Sequence, residues 1–193
     1  FRAAAGARLW SRANAMRAGP VSAGGRILLA DPGRHRSTAV AIRTGATLWT
    51  VNSRLTARAA NPAGDTFYLS NVAGLRAVRA ATGTVRWSVP KANGALAADG
   101  RRVYLAAAAR VTAYDALTGH AEWARALAGP GRPIRAGGLL YTVTKDGGLA
   151  ILAPATGKPV AAAGGYTGLT DHVVVAGGAL YVTRGWSLRA YRP

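Results

Sequence analysis

The fold of this chain is decided by one segment, Ala113-Tyr114-Asp115-Ala116-Leu117-Thr118-Gly119-His120-Ala121-Glu122-Trp123. The segment reads as the end of one strand, a tight Thr-Gly turn and a second strand that carries a tryptophan. Its pattern, A-x-D-x-x-T-G-x-x-x-W, recurs in degraded form along the whole sequence. Recurrence at a fixed period is typical of repeat architectures.

Two markers repeat with the same period. The first is a turn glycine followed four residues later by a tryptophan, or by alanine in the last copy. Its glycines are Gly6, Gly45, Gly83, Gly119 and Gly157, and the following residues are Trp10, Trp49, Trp87, Trp123 and Ala161. By subtraction, these glycines lie 39, 38, 36 and 38 residues apart. The second marker is the set of hairpin glycines Gly25, Gly64, Gly100, Gly138 and Gly178. Two markers in one register indicate a true structural repeat.

Each unit predicts four short strands. In residues 133–163, apolar and β-branched runs alternate with glycine turns at 137–138, 147 and 157. No window shows a sustained helical period with caps, so little or no helix is expected. Four-stranded antiparallel meanders repeated at about 40 residues indicate a β-propeller. The predicted blade units are about 17–54, 55–92, 93–128, 129–164, and 165–193 together with 1–16.

These units predict one domain over residues 1–193, with five blade-equivalents. Residues 165–193 supply three strands, and residues 1–16 carry a strand that completes them. Either that N-terminal strand closes a five-bladed ring, which removes the free sheet edges, or the chain is an arc of a larger ring. The sequence leaves both arrangements open.

The tryptophans are interpreted as structural. Each ring is expected between two blades, on the backbone of an adjacent turn where glycine leaves room. The docking residues are Trp10, Trp49, Trp87 and Trp123 with Gly45, Gly83, Gly119 and Gly157. This motif resembles the tryptophan-docking repeat of the pyrroloquinoline-quinone-like propeller family, over nearly the whole chain. That family includes quinoprotein dehydrogenases, an outer-membrane assembly lipoprotein and sensor regions of actinobacterial kinases. The resemblance implies a fold rather than an activity, and a periplasmic, cell-surface or secreted location.

Composition bounds the class of protein further. Half of the residues are hydrophobic, which is enough for a core. The chain has no cysteine, so disulfide and thiol chemistry are excluded. No apolar run approaches the length of a membrane span. The net charge of +18 has two explanations, a codon bias toward arginine or an anionic partner.

No catalytic or metal site is predicted. The quinoprotein site that the resemblance implies needs an ion held by acidic side chains, a catalytic carboxylate and an adjacent cysteine pair. The chain has one glutamate, Glu122, which reads as a surface strand residue, so bound quinone is not expected. The histidines, His35, His120 and His172, lack the spacing of metal ligands. Asp99 and Asp146 read as ordinary turn residues.

One loop face is rich in basic residues. In a four-stranded meander, the second turn of each blade and the link to the next blade emerge on the same side. The candidate ligand-binding residues there are Arg34, Arg36, Lys91, Arg132, Lys145 and Arg184. We hypothesise a basic face around a central channel, which attracts an anionic small molecule, an acidic polymer or a protein partner. Simply solvated loops are the alternative.

The predicted function is therefore a non-catalytic binding, scaffold or sensor module. A quinoprotein-type oxidoreductase or another propeller enzyme is the alternative, and it requires a cofactor or metal site that the sequence does not reveal. Nucleic-acid binding is disfavoured because the aromatic residues occupy core positions instead of an exposed stacking surface.

Overall fold

The computed structural model describes residues 8–12, 20–31, 35–52, 55–163, 172–176, 179–184 and 187–191. Within these ranges the chain forms antiparallel strands and short turns, with no α-helix. Accordingly, the described part of the chain has no helix that could span a membrane. The prediction of an all-β fold made of four-stranded antiparallel sheets is confirmed.

The chain divides into two compact units, residues 1–93 and 94–193. The first unit contains blade 1 and blade 2. Blade 1 consists of β1 (Val21–Ala23), β2 (Arg26–Asp31), β3 (Arg36–Ala41) and β4 (Thr47–Val51). Blade 2 consists of β5 (Ala57–Ala60), β6 (Thr66–Asn71), β7 (Gly74–Arg79) and β8 (Val85–Pro90). The organisation of the whole chain as one domain stays a prediction.

The second unit contains blades 3, 4 and 5. Blade 3 consists of β9 (Ala95–Ala98), β10 (Arg102–Ala107), β11 (Arg110–Asp115) and β12 (Ala121–Ala126). Blade 4 consists of β13 (Ile134–Ala136), β14 (Leu139–Val143), β15 (Leu149–Leu152) and β16 (Pro159–Ala163). Blade 5 has three described strands, β17 (His172–Ala176), β18 (Ala179–Arg184) and β19 (Ser187–Tyr191). Of the strand predicted within residues 1–16, only residues 8–12 lie inside the described ranges.

A bulge interrupts the pairing of the third and fourth strands in blades 1 to 4. The register shifts directly after Ala39, Ala77, Ala113 and Ile151. In the first three blades that residue is the cross-strand partner of the tryptophan, whereas in blade 4 Ile151 faces Ala161. The alanine of the sequence pattern is thus the small residue opposite the large one. In blade 4 the larger residue, Ile151, is on the third strand and the small one, Ala161, is on the fourth.

The inner and middle strands carry the core. Strand β6 is buried along its whole length, and only the two end residues of β10 are not fully buried. One cluster in the first unit includes Leu28 and Phe67, and one in the second includes Tyr104, Leu140 and Leu152. Burying each such side chain contributes about 2 kcal/mol to folding. These middle strands are therefore buried on both faces, while the fourth strands are mostly exposed.

Indole rings dock on turns of the following blade. Trp49 Nε1 donates a hydrogen bond of 2.9 Å to the carbonyl of Ala80, and its ring covers Gly83. A Cβ atom on Gly83 would lie 2.8 Å from that ring, and the φ angle of 74° also favours glycine. In the second unit, Trp123 Nε1 donates to Pro154 O at 2.9 Å and its ring covers Gly157.

The same docking occurs ahead of blade 1. Trp10 Nε1 donates to the carbonyl of Ile42 at 2.8 Å, and its ring lies against Gly45. Trp87 occupies the equivalent position of β8, with its ring centroid 5.9 Å from that of Tyr68. Gly119 has a φ angle of 74°, close to the 69°, 74° and 66° of Gly45, Gly83 and Gly157. The repeat therefore sets the spacing of the sheets and leaves the loops at the strand ends to differ.

Candidate binding face

The strand ends of each blade define two sides. Because sequential strands alternate in direction, the second turn of a blade and the link to the next blade share one side, here called the link end. The first and third turns share the opposite side, called the turn end. Loops held by a rigid scaffold are where binding residues usually lie.

Three loops are joined at the link end of blades 3 and 4. The link 127–133 bonds backward to the second turn of blade 3, with Leu127 N donating to Ala109 O at 2.9 Å. It also bonds forward to the second turn of blade 4, because Lys145 N donates to Ala128 O at 2.8 Å. These backbone bonds fix the positions of the three loops relative to one another.

Three exposed cations stand at these joined loops: Arg132 and Lys145 lie in them, and Arg110 begins β11 directly after the second turn of blade 3. We call Arg110, Arg132 and Lys145 the basic loop cluster. The acid in these loops is Asp146, also exposed. The hydroxyl of Thr144 donates to Asp146, and this bond is the main reason that the pKa of Asp146 lies below its usual value. The carboxylate therefore stays ionised, and the four side chains sum to a charge of +2.

The other predicted ligand-binding residues are dispersed. Arg36 begins β3 and is half-buried, so it does not project from a loop as the sequence suggests. Lys91 is exposed in the link after β8, with a φ angle of 61°. Arg34 lies outside the described residues, and Arg184 ends β18 without a described side chain. The link that carries Lys91 bonds to the second turn of its own blade, with Lys91 N donating to Ala73 O at 2.9 Å. Of the six predicted residues, Arg132 and Lys145 are the two that lie on the three loops joined at blades 3 and 4.

A polar network occupies the turn end of blades 3 and 4. Asp99 Oδ1 accepts the backbone N–H groups of Arg101 and Arg102, both at 2.8 Å, which folds the first turn of blade 3. Asp99 Oδ2 accepts the hydroxyl of buried Tyr104 at 2.7 Å. The same oxygen accepts Nε of Arg135 from blade 4 at 2.9 Å. One carboxylate thus folds a turn and joins two blades.

The pKa directions agree with this geometry. Burial alone would raise the pKa of Asp99, but bonds from the Arg101 and Arg102 backbone, Tyr104 and Arg135 together outweigh it and lower that pKa. Burial, followed by the bond to Asp99, raises the pKa of the Tyr104 hydroxyl. The pair is therefore a stable donor and acceptor at neutral pH.

The sequence reading missed this role of Asp99. The sequence predicted an ordinary turn residue at Asp99. Its Oδ1 atom does bond to the backbone of the turn, but its Oδ2 atom bonds to Tyr104 and to Arg135 of the next blade. A usable signal exists, because Asp99 and Arg135 are 36 residues apart, about one repeat. Residues separated by one period occupy matching places on neighbouring blades, so opposite charges at that spacing are candidates for a bridge.

The described residues offer little for catalysis or cofactor binding. No three His, Asp or Glu side chains among them lie close enough to hold a metal ion. His35 and His120 are exposed in different blades. The sole glutamate, Glu122, bonds to Nε of Arg102, and the sequence has no cysteine pair. These residues do not fit the quinone site that the propeller resemblance implies. The prediction that no such cofactor binds stays a prediction.

Comparison with known proteins decides the family. A family model described as outer membrane protein assembly factor BamB matches residues 36–185. The chain belongs to this family. The match runs from the third strand of blade 1 into blade 5, so this BamB-like chain carries the family repeat through most of its length. A search of the curated proteins gave no match.

Solved structures show the same β-propeller fold at low sequence identity. BamB from Moraxella catarrhalis has a TM-score of 0.68 at 19% identity, covering 85% of this chain and 57% of its own. Hydrazine synthase from Kuenenia stuttgartiensis has a TM-score of 0.70 at 16% identity, covering 84% and 54%. The computationally designed protein Ika8 has a TM-score of 0.73 at 16% identity, covering 90% and 57%.

The BamB-like chain spans little more than half the length of these solved proteins. By their names, one is an assembly factor, one an enzyme and one a design. The shared fold therefore does not choose among functions, and the choice depends on the site.

Proposed function

We propose that this BamB-like chain is a non-catalytic binding or scaffold module, whose basic loop cluster holds an acidic segment of a partner protein or another anionic ligand. The observation that carries the proposal is the joining of Arg110, Arg132 and Lys145 by backbone bonds between their loops. Family membership supports a scaffold role, since the matching model is described as an assembly factor.

The geometry suits an extended anion better than a single ion. The three cations leave from three successive loops of two blades, so a chain of negative groups can contact them in turn. Exposed charges several ångströms apart attract an opposite charge mainly by raising its association rate and local concentration. Because each exposed contact is weak, affinity must come from several contacts at once.

The loops are rigid enough to favour binding. Gly131 N donates to Val143 O at 2.7 Å, and Thr142 Oγ1 donates to Gly131 O at 3.0 Å. Thr144 N donates to Gly148 O at 2.7 Å across the second turn of blade 4. Loops that are already ordered lose less entropy when a ligand binds. Solvated loops without a ligand remain the competing explanation of the charge.

We also infer that the chain works outside the cytoplasm, in the periplasm, at the cell surface or as a secreted protein. The family description names an outer membrane process, and the sequence contains no cysteine that such a location would oxidise. Fractionation of cells that produce the protein from its own gene tests this. Recovery in the cytoplasmic fraction alone would contradict it.

The binding proposal is tested by charge reversal at constant net charge. The test variant carries Arg110→Glu, Arg132→Glu and Lys145→Glu, and a labelled glutamate-rich decapeptide reports binding by fluorescence anisotropy. The control carries Arg43→Glu, Arg79→Glu and Lys158→Glu, which are exposed at the turn ends of their sheets. Both variants have a net charge of 18 − 6 = +12.

The test variant is expected to bind the decapeptide at least tenfold more weakly than the control, at about 0.15 M salt. Circular dichroism should show that both variants are folded. Equal weakening by both variants would mean that only overall charge attracts the peptide, and the basic loop cluster would then be rejected as the site.

A further inference from the structure

A groove lies at the turn end of blades 3 and 4, on the side opposite the basic loop cluster. Its volume is about 400 Å³, which is in the range of small-ligand sites. It is lined by Asp99, Gly100, Arg101, Arg102, Arg135 and Gly138, with Pro154 and Ala155 completing one wall. We call it the arginine groove.

Two of its three guanidinium groups are held in place. Arg135 donates through Nε to Asp99 Oδ2 at 2.9 Å and through NH1 to Leu139 O at 3.1 Å. Arg102 donates through Nε to Glu122 on the outer strand β12. These side chains are mostly buried, with exposed fractions of 23% and 14%. Each fixed guanidinium keeps further N–H groups, which form a planar donor set for a second carboxylate.

The glycines of the groove leave space for a main chain. A Cβ atom placed on Gly100 or Gly138 would meet no other atom within 4 Å. Both residues are exposed. Their backbone N–H and C=O groups are therefore not shielded by side chains, and another peptide backbone can approach them closely.

The charge balance selects the ligand. The lining contains three arginines and one aspartate, and Glu122 pairs with Arg102 from outside the lining, so these five side chains sum to a charge of +1. The third guanidinium belongs to Arg101, which is exposed. An occupant should therefore bring one or two carboxylates together with a main chain that fits between glycine turns.

We propose that the arginine groove binds a short acidic peptide segment of a partner protein in an extended conformation. Its carboxylates are received by Arg101, Arg102 and Arg135, and its backbone runs past Gly100 and Gly138. This site is separate from the basic loop cluster and does not depend on it.

The test blocks the groove without unfolding the blade. Gly100→Phe adds a large side chain into free space, and Gly100 does not have the positive φ angle that would strain the new residue. Gly100→Ala is the matched control, because one methyl group leaves most of the groove open. Binding of a labelled tetrapeptide with two central glutamates is measured by anisotropy, and the same peptide with glutamines is the ligand control.

Gly100→Phe is expected to lower the affinity for the acidic tetrapeptide at least tenfold, while Gly100→Ala should change this affinity less than twofold. Arg101→Gln should lower the affinity several-fold, and Lys158→Gln should leave it unchanged. The glutamine peptide should bind at least tenfold more weakly than the acidic one.

Three results would overturn the proposal. One is unchanged binding to Gly100→Phe. Another is full competition by inorganic phosphate at the peptide's own concentration, which would make the groove a general anion site. The third is loss of tetrapeptide binding only in the variant with charge reversal at Arg110, Arg132 and Lys145. That result would support the proposed function and reject the groove as the peptide site.

Discussion

Two junctions between neighbouring blades, blade 1 with blade 2 and blade 3 with blade 4, share one contact and differ in another. In both, an indole from the first blade docks on a turn glycine of the second, Trp49 on Gly83 and Trp123 on Gly157. The hydrogen bonds from the two indoles have the same length, 2.9 Å. The contact between an indole ring and a turn glycine is thus the same at both junctions.

The first turns of the two junctions differ. In blades 1 and 2 the turn backbones touch, since a Cβ on Gly24 would lie 2.4 Å from Gly64 O and one on Gly64 would lie 2.7 Å from Gly24 N. In blades 3 and 4 the turns stand apart, bridged by Asp99 and Arg135 with the groove beside them. One junction is closed by backbone and the other by an ion pair.

The difference shows where this repeat can acquire a site. The position of the docked indole is a tryptophan in blades 1 to 3 and Ala161 in blade 4, so it changes little among the blades. The first turns differ more: glycine backbones touch at one junction, and charged residues with a groove beside them occupy the other. Function is thus expected at the turns that the repeat pattern does not constrain.

The largest expected effect tests the closed junction. Gly24→Ala combines a left-handed φ angle of 52° with a clash against the Gly64 carbonyl. We expect the free energy of unfolding to fall by about 4 kcal/mol, measured by urea denaturation followed by tryptophan fluorescence. A variant as stable as the parent would show that the two turns do not touch, and the comparison would fail.

The next effect tests the ion-paired junction. Asp99→Asn removes the charge that Tyr104 and Arg135 bond to, and should lower the free energy of unfolding by about 2 kcal/mol at pH 7. The control, Asp65→Asn, should cost about 0.5 kcal/mol, because the Asp65 side chain is 53% exposed in its pair with Arg86. Equal costs would indicate that the Asp99 bridge adds nothing to the junction.

The difference in stability between the parent protein and Asp99→Asn should depend on pH. The folded-state pKa of Asp99 is lowered, so its stabilising contribution is present above the ordinary aspartate pKa of about 4 and is lost as the pH falls through the folded pKa. The stability difference between the parent and Asp99→Asn should therefore shrink below about pH 4 in urea titrations. A difference that grows on acidification would contradict the lowered pKa.

A smaller effect tests what the junctions share. Trp49→Phe and Trp123→Phe keep a ring over the glycine but lose the Nε1 hydrogen bond. Each should cost about 1 kcal/mol, and the two costs should agree within about 0.5 kcal/mol. Unequal costs in thermal or urea unfolding would mean that the docks are not equivalent.

The smallest effect tests the first turn of blade 3, where Gly100 faces open space. Gly100→Ala adds a methyl group that meets nothing within 4 Å, at a backbone angle that alanine accepts. Stability should change by no more than about 0.5 kcal/mol, with a gain favoured because alanine restricts the unfolded chain. A large loss would show that the groove is closed in solution.

The four-stranded sheets could be predicted from the sequence because the residues that mark each hairpin are close together in the chain. Turn glycines and tryptophans lie four residues apart, and both sit on one hairpin whose geometry depends on those residues alone. The placement of Trp49 and Trp123 followed from that spacing. The match of Ala113 to Trp123 across the bulge explains why the pattern begins with a small residue.

The site was harder to predict because it depends on contacts between repeats. Asp99 and Arg135 are far apart in sequence, and a sequence does not state which way a turn side chain points. Arg36 was assigned to a loop, although it begins β3 and is half-buried. Charge counted by loop could indicate a basic side, but it could not show that the loops of Arg132 and Lys145 are bonded across two blades while the link of Lys91 bonds to a turn of its own blade.

The bulge in the fourth strand has a consequence for how repeat chains lengthen in evolution. It is present in blade 4, where Ile151 and Ala161 replace the usual pair, and the turn bond from Gly157 N to Ala153 O matches that from Gly45 N to Ala41 O in blade 1. The hairpin therefore forms without its aromatic ring. Duplicated copies can lose or regain that ring one at a time, so lengthening by gene duplication need not wait for a complete motif in each new copy.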